Sequence, residues 1–220
     1  MADPIIIFGR SGTGKSTAIK TLAEQGKQFG LVNVLGKRMP FRGKVPQIVT
    51  TDYNEVKKAI AAAEAKTIIV DDCGYLITDM FMTRHSSAGK GNGVFALYND
   101  LGDEFYKLLR FIAELDDGDK LVYLMLHEDM DDMGRAKIKT IGKLLDEKVT
   151  IEGMVSVVFQ SVVIDGEYRF RTNGDGIVKT PPGMFEDEYI PNDLAMIDAT
   201  IREYWSLAPL PSTKSKRAAK

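Results

Sequence analysis

PIIIFGRSGTGKSTAIKTLAEQG, residues 4–26, carries a strand, a tight turn and a helix in immediate succession. Pro4 to Phe8 is a short apolar, β-branched run. Ala18, Ile19, Leu22 and Ala23 then recur at helical spacing, with Gly26 as the stop signal. Between them, Gly9 to Ser16 satisfies the pattern GxxxxGK[ST] in the strand-to-helix setting its chemistry requires. Glycines let the backbone bend until successive amide hydrogens converge on phosphate oxygens. A lysine reaches the outer phosphates, and a serine hydroxyl at the helix start ligates magnesium. Gly9, Arg10, Ser11, Gly12, Thr13, Gly14, Lys15, Ser16 and Thr17 are therefore the candidate nucleotide-binding residues. Lys15 is also a candidate catalytic group, and ATP with Mg²⁺ the expected ligands.

A second element lies outward at residues 67–72, TIIVDD. A fully apolar run delivering acids at its end is the pattern of a central parallel strand covered on both faces, whose carboxyl edge is where ligands bind. Asp71 is the candidate magnesium carboxylate beside Ser16, and Asp72 the candidate for polarising an attacking water. An acid after a buried strand can equally be a loop start or a helix cap. The next apolar run, Lys120 to Leu126, ends at His127, which could sense the γ-phosphate or simply hydrogen-bond structurally. Cys73 beside the acids reads as a small buried filler.

The remaining pattern alternates helix and strand. Phe29 to Leu35 and Ile48 to Thr50 are candidate strands around a basic loop, Gly36 to Lys44. Asp52 with Glu55 looks like a capping box opening a helix through Ala65. Thr83 to Asn92 is polar and glycine-rich, hence a loop. From Val94 the apolar positions Leu97, Leu101, Phe105, Leu108 and Ile112 predict a long helix. Asp165-Gly166 between Met154–Ile164 and Glu167–Arg171 predicts a hairpin, and Asn192 a cap for a last helix. The expected fold is α/β: a three-layer, RecA-like P-loop architecture with a mostly parallel sheet and antiparallel strands toward the C-terminal side. One domain over 1–206 and a disordered basic tail over 207–220 complete the expected organisation.

Composition narrows the partners. The chain has 220 residues, with 29 lysines and arginines against 31 aspartates and glutamates for a net charge of −2, so no global field draws it to a polyanion. Nucleic-acid contact would need a local patch. One cysteine and two histidines supply neither a disulfide nor the usual four-ligand zinc site. With no leader or long apolar stretch, the expectation is a cytoplasmic protein of a reducing compartment, with no membrane partner.

GRSGTGKST, IIVDDCGYL, His127-Glu128, KTIGKLLDEKVTIEGMVSVVF, the DGEYRFRTNG hairpin and KTPPGMFEDEYIPNDL together resemble the phage-encoded AAA-type ATP-binding proteins with a RecA-like core. That group includes ATP-dependent single-strand annealing proteins of recombination. The resemblance implies phosphate binding by Gly9 to Thr17, magnesium at Ser16 and Asp71, and a polarising or sensing role for Asp72 and His127. It also implies single-stranded DNA as partner and a host-cell cytoplasmic setting. Residues 31–41, LVNVLGKRMPF, carry no acid where RecA has its catalytic glutamate, so the water-activating residue stays open.

In such a core the loops after the second-element strand and the next strand face DNA. Here they carry Arg84 and Lys90, then Arg135, Lys137, Lys139 and Lys143, which could contact DNA phosphates or a neighbouring subunit's ATP. Lys37, Arg38, Arg42 and Lys44 around Phe41 could do the same, or form an ordinary surface turn. Lys214, Lys216, Arg217 and Lys220 could add unspecific attraction. A homo-oligomer favoured by ATP and a separate single-strand-binding protein are the further partner expectations. Two other functions fit the phosphate loop: a small-molecule P-loop kinase, and a non-hydrolysing ATP-dependent DNA-binding scaffold.

Overall fold

A computed structural model describes residues 1–89, 91–142, 144–174 and 176–212. Its elements are β1 (Asp3–Gly9), a helical turn Ser16–Ala18 running into α1 (Ile19–Glu24), β2 (Gly30–Asn33), α2 (Tyr53–Ala62), β3 (Thr67–Asp71) and α3 (Tyr75–Arg84). There follow α4 (Asn92–Glu114), β4 (Leu121–Met130), β5 (Ala136–Ile138), β6 (Val157–Ile164), β7 (Glu167–Arg171), β8 (Tyr189–Pro191) and α5 (Leu194–Tyr204).

The strands order as β2-β3-β4-β1-β6-β7-β8, with β5 folded back on β4. Pairings β2/β3, β3/β4, β4/β1 and β1/β6 are parallel, whereas β6/β7, β7/β8 and β4/β5 are antiparallel. Side chains alternate across the pleat, so each central strand feeds two cores. Ile6 and Phe8 of β1, with Val70 and Leu124, pack against α2, α3 and α4 through Val56, Leu76 and Phe105. Ile5 and Ile7, with Ile69, Tyr123 and Phe159, pack against α1 and α5 through Leu22, Ile197 and Ile201. The result is the expected three-layer α/β arrangement, mostly parallel with antiparallel strands on the C-terminal side. Among the described residues, no helix is long and apolar enough to cross a membrane.

Local differences from the sequence expectations have identifiable causes. Ile48 makes only an isolated bridge to Val32 rather than a strand. Asp52 caps α2 by accepting from the Asn54 and Glu55 amides, but Glu55 pairs with Lys58 instead of reaching back, so only half of the capping box forms. The expected loop at Thr83 is helical at first: α3 runs to Arg84 and a further turn covers His85–Ser87. The mixed-charge stretch after His127 is a hairpin, because the Asp131 carboxylate accepts from the Met133 and Arg135 amides and closes the turn between β4 and β5. Asp193 rather than Asn192 caps α5, accepting from the Met196 amide. Packed chain also continues past 206: Leu207 and Leu210 lie against the α1/α5 core, and the Gln28 amide donates to Pro211 O. Lys214, Lys216, Arg217 and Lys220 lie outside the described residues, as do Lys90 and Lys143.

Candidate nucleotide site

The site forms where β1, β3 and β4 end together. Parallel register sets Gly9 opposite His127 and Val70 opposite Leu124, so the turn after β1 meets the acids after β3 and the histidine late in β4. Gly9 is needed by packing: a Cβ there would sit 2.5 Å from the Ser161 carbonyl of β6. Gly14 has φ +98° and lies under the Tyr168 ring, where a Cβ would meet Cδ1 at 2.9 Å. Both conformational freedom and close approach select glycine there. The loop is tied down from outside, since the Ser161 hydroxyl donates to Thr13 O at 2.6 Å and the Thr13 hydroxyl to Arg10 O at 2.9 Å.

Lys15, Ser16, Asp71, Asp72 and His127 converge on one cavity of about 300 Å³, together with Ser11, Gly12, Gly14 and Thr17 of the loop. The Lys15 ammonium donates to Gly9 O at 2.7 Å and to Arg10 O at 2.8 Å. Burial lowers its pKa to about 8, against the raising pull of Asp72, Asp71 and Glu128. Ser16 Oγ donates to Asp71 Oδ1 at 2.9 Å. Burial, then repulsion from Asp72, raises the Asp71 carboxyl above its usual range. Burial acts on Asp72 too, but hydrogen bonding and charge from His127 and Lys37 outweigh it and hold that carboxyl below the usual range. Lys37 Nζ stands 2.5 Å from Asp72 Oδ2, and His127 Nε2 3.4 Å from Asp72 Oδ1. Asp72 itself occupies the left-handed region at φ +57°, immediately after the end of β3.

Several residues sit elsewhere than the sequence suggested. Lys37 to Pro40 of the basic loop form a wall of the cavity. Phe41 packs on the α1/α5 core, so it is not a free stacking surface. Arg10, a loop residue, turns outward to Glu128 at 3.3 Å, while Gln160 donates to the same carboxylate at 2.8 Å. Arg84 pairs with Asp100 at 2.5 Å and Arg135 with Asp131 at 2.7 Å; neither lines the cavity. Lys137 lies on the hairpin strand β5 and Lys139 just beyond it, where its amide donates to His127 O at 2.8 Å. Tyr168 of β7 was not singled out from the sequence, because DGEYRFR reads as a turn signal and gives no hint that its tyrosine reaches Gly14.

The donor set suits magnesium. Ser16 and Asp71 offer two oxygens, and among the described residues no group of three or more histidine, cysteine or acidic side chains forms a self-sufficient cation cage. Mg²⁺ commonly takes one or two protein oxygens and completes its octahedron with phosphate and water.

No protein-family model matches the chain, and no curated protein matches it. Among solved structures, an ATPase from the type III secretion system of pathogenic bacteria is similar at 14% identity with a TM-score of 0.47. The similarity covers 74% of this chain and 51% of that one, so the chain spans about half the length of that ATPase.

Proposed function

We propose that the protein is a Mg²⁺-ATP-hydrolysing P-loop ATPase whose turnover is coupled to single-stranded DNA, acting in annealing or recombination of phage DNA. The observation carrying the ATPase part is the 2.9 Å contact between Ser16 Oγ and Asp71 Oδ1, with the Lys15 ammonium at the mouth of the same loop. Two elements distant in sequence, the turn after β1 and the end of β3, converge on the donor pair and cation that a triphosphate requires.

Magnesium, which Ser16 and Asp71 would hold, would neutralise charge on the outer phosphates. The loop amides bind and orient the chain of phosphates, and Lys15 exchanges its carbonyl partners for phosphate oxygens. Asp72, kept ionised by Lys37 and His127, is a weak base at neutral pH. Its role is to orient water near the γ-phosphate rather than to hold the proton firmly. Thr17 and Tyr168 lead away from the opposite end into a groove of about 470 Å³ on the β7 and α1 side. Asn192 Nδ2, buried without a hydrogen-bond partner, stands in that groove close to Gly14. The base occupies this groove, with the tyrosine ring as its stacking surface.

The DNA part is supported by the sequence resemblance and by basic residues on the β4–β5 hairpin side. Steady-state ATP hydrolysis with and without an oligonucleotide, across salt concentrations, tests it. Stimulation by single-stranded DNA that fades as salt rises is expected. Identical turnover with and without DNA, joined to no retention of the oligonucleotide, overturns the coupling.

A further inference from the structure

A second cavity, of about 640 Å³, adjoins the candidate phosphate site. Ser11, Lys37 and His127 line both spaces and form the partition between them. Because Asp71, Asp72 and Lys37 mark the γ-phosphate end and Thr17 with Tyr168 the base end, the second cavity lies beyond the transferable phosphate. Its size is within the roughly 300–1,000 Å³ of small-ligand pockets.

Its walls combine two chemistries. Tyr75, Ile77 and Phe81 of α3, with Ile141, supply an apolar and aromatic side. The Phe81 ring is in contact with His85 at 5.2 Å and Tyr98 at 5.9 Å, and Tyr75 meets His127 edge-on at 5.5 Å, so both rings are held in place. Arg10, Lys37 and Lys139 supply cations: Arg10 pairs with Glu128 and Lys37 with Asp72 across the partition, so the exposed Lys139 is the cation most open to a ligand. The Glu128 carboxylate is already engaged by Arg10 and Gln160. A ligand that satisfies both sides carries a flat apolar ring and an anionic group.

We infer that this cavity binds a nucleotide unit, its base against Phe81 and Tyr75 and its phosphate toward Lys139 and Arg10. The unit comes either from a free nucleoside monophosphate or from within a single DNA strand. The inference rests on the reading of the adjoining cavity as the triphosphate site. Since Lys37 and His127 face both spaces, occupation of one alters the affinity of the other, reciprocally.

The test is equilibrium binding of fluorescein-labelled oligo-dT to the full chain, with Mg²⁺ and a non-hydrolysable ATP analogue, and competition by dTMP. Thr78→Trp places a bulky ring in the cavity from α3, and Lys139→Glu reverses the charge of an exposed side chain. Both variants are expected to bind the analogue as the wild type does while losing about tenfold or more of the oligonucleotide or dTMP affinity, the scale of one lost stacking or phosphate contact. Competition by dTMP identifies the free nucleotide as sufficient; binding of oligo-dT that dTMP does not displace identifies the strand. The inference is overturned if the wild type binds the analogue but neither nucleotide form, or if both variants bind oligo-dT and dTMP undiminished. A wild type that does not bind the analogue overturns the triphosphate reading instead.

Discussion

Lys15 places a cation of lowered pKa among main-chain carbonyls, and its titration has a definite sign. Its folded value of about 8 lies below the ordinary 10.5, so between those values the unfolded chain binds more protons. Stability of the nucleotide-free protein therefore rises with pH across that window, as the buried ammonium is discharged. A triphosphate beside Lys15 favours the charged form, so nucleotide binding at a pH within the window takes up protons. Calorimetric titration of the wild type in buffers of different ionisation enthalpy measures this; uptake is expected within the window and disappears about two pH units below it, where Lys15 is already charged. At this scale the sequence was legible in placement: Ser16 and Asp71, expected side by side, meet at 2.9 Å. It was silent on Lys37, because a lysine in a Gly/Pro-punctuated loop gives no sign that the loop folds back onto Asp72.

The elements that position the site differ in how much they announce themselves. β3 and the first half of β4 are continuous apolar runs, and α4 keeps its buried positions Leu97, Leu101, Phe105, Leu108 and Ile112 at helical spacing. α3 is less visible because only Leu76 and Ile77 of its ten residues are fully buried, leaving no periodic stripe to detect. The β4–β5 hairpin hides in a mixed-charge stretch because its turn is closed by side-chain acceptance at Asp131 rather than by an Asn-Gly or Asp-Gly pair. Asp165-Gly166, by contrast, has φ values of +52° and +81° and gives the tight hairpin its dipeptide signals. That turn sets the register that puts Tyr168 over Gly14. Tyr168→Ala is expected to weaken ATP binding about tenfold or more while leaving tripolyphosphate binding unchanged, as competition measurements can read. Equal loss for both ligands would assign the tyrosine to loop support. At the start of α2, Asp52→Ala removes an acceptor for two amides and is expected to cost about 1 kcal/mol. Thermal unfolding of the two proteins checks this as a lowering of about 2–4 °C.

Across the whole molecule, the candidate site and a buried polar network occupy opposite ends of the sheet. The carboxyl ends of β1, β3 and β4 carry the candidate site, with paired buried acids and a desolvated lysine. Near the amino ends of β3 and β4, a fully buried polar network ties α5 to the sheet. Thr67 Oγ1 donates to Asp198 Oδ2 at 2.6 Å, Arg202 Nε to Asp198 Oδ1 at 2.6 Å, and the rest of the guanidinium to Thr67 Oγ1 and to the carbonyls of Lys66, Asp119 and Ala208. Asp198→Ala strands a buried cation and is expected to cost about 3–5 kcal/mol in denaturant unfolding, while the double change with Arg202→Leu costs less than the single one. The layered α/β order was legible because alternating buried runs and amphipathic helices leave few other arrangements. The network was not, since Asp198 and Arg202 read as polar positions of a surface helix until α5 is docked. Everything functional depends on the turn after β1 holding a triphosphate. Calorimetric titration of Mg²⁺-ATP into the wild type and into Lys15→Ala tests this most directly: saturable one-site binding by the wild type, abolished in a variant of unchanged circular dichroism, is predicted. No binding by the wild type, or equal binding by both, would contradict it.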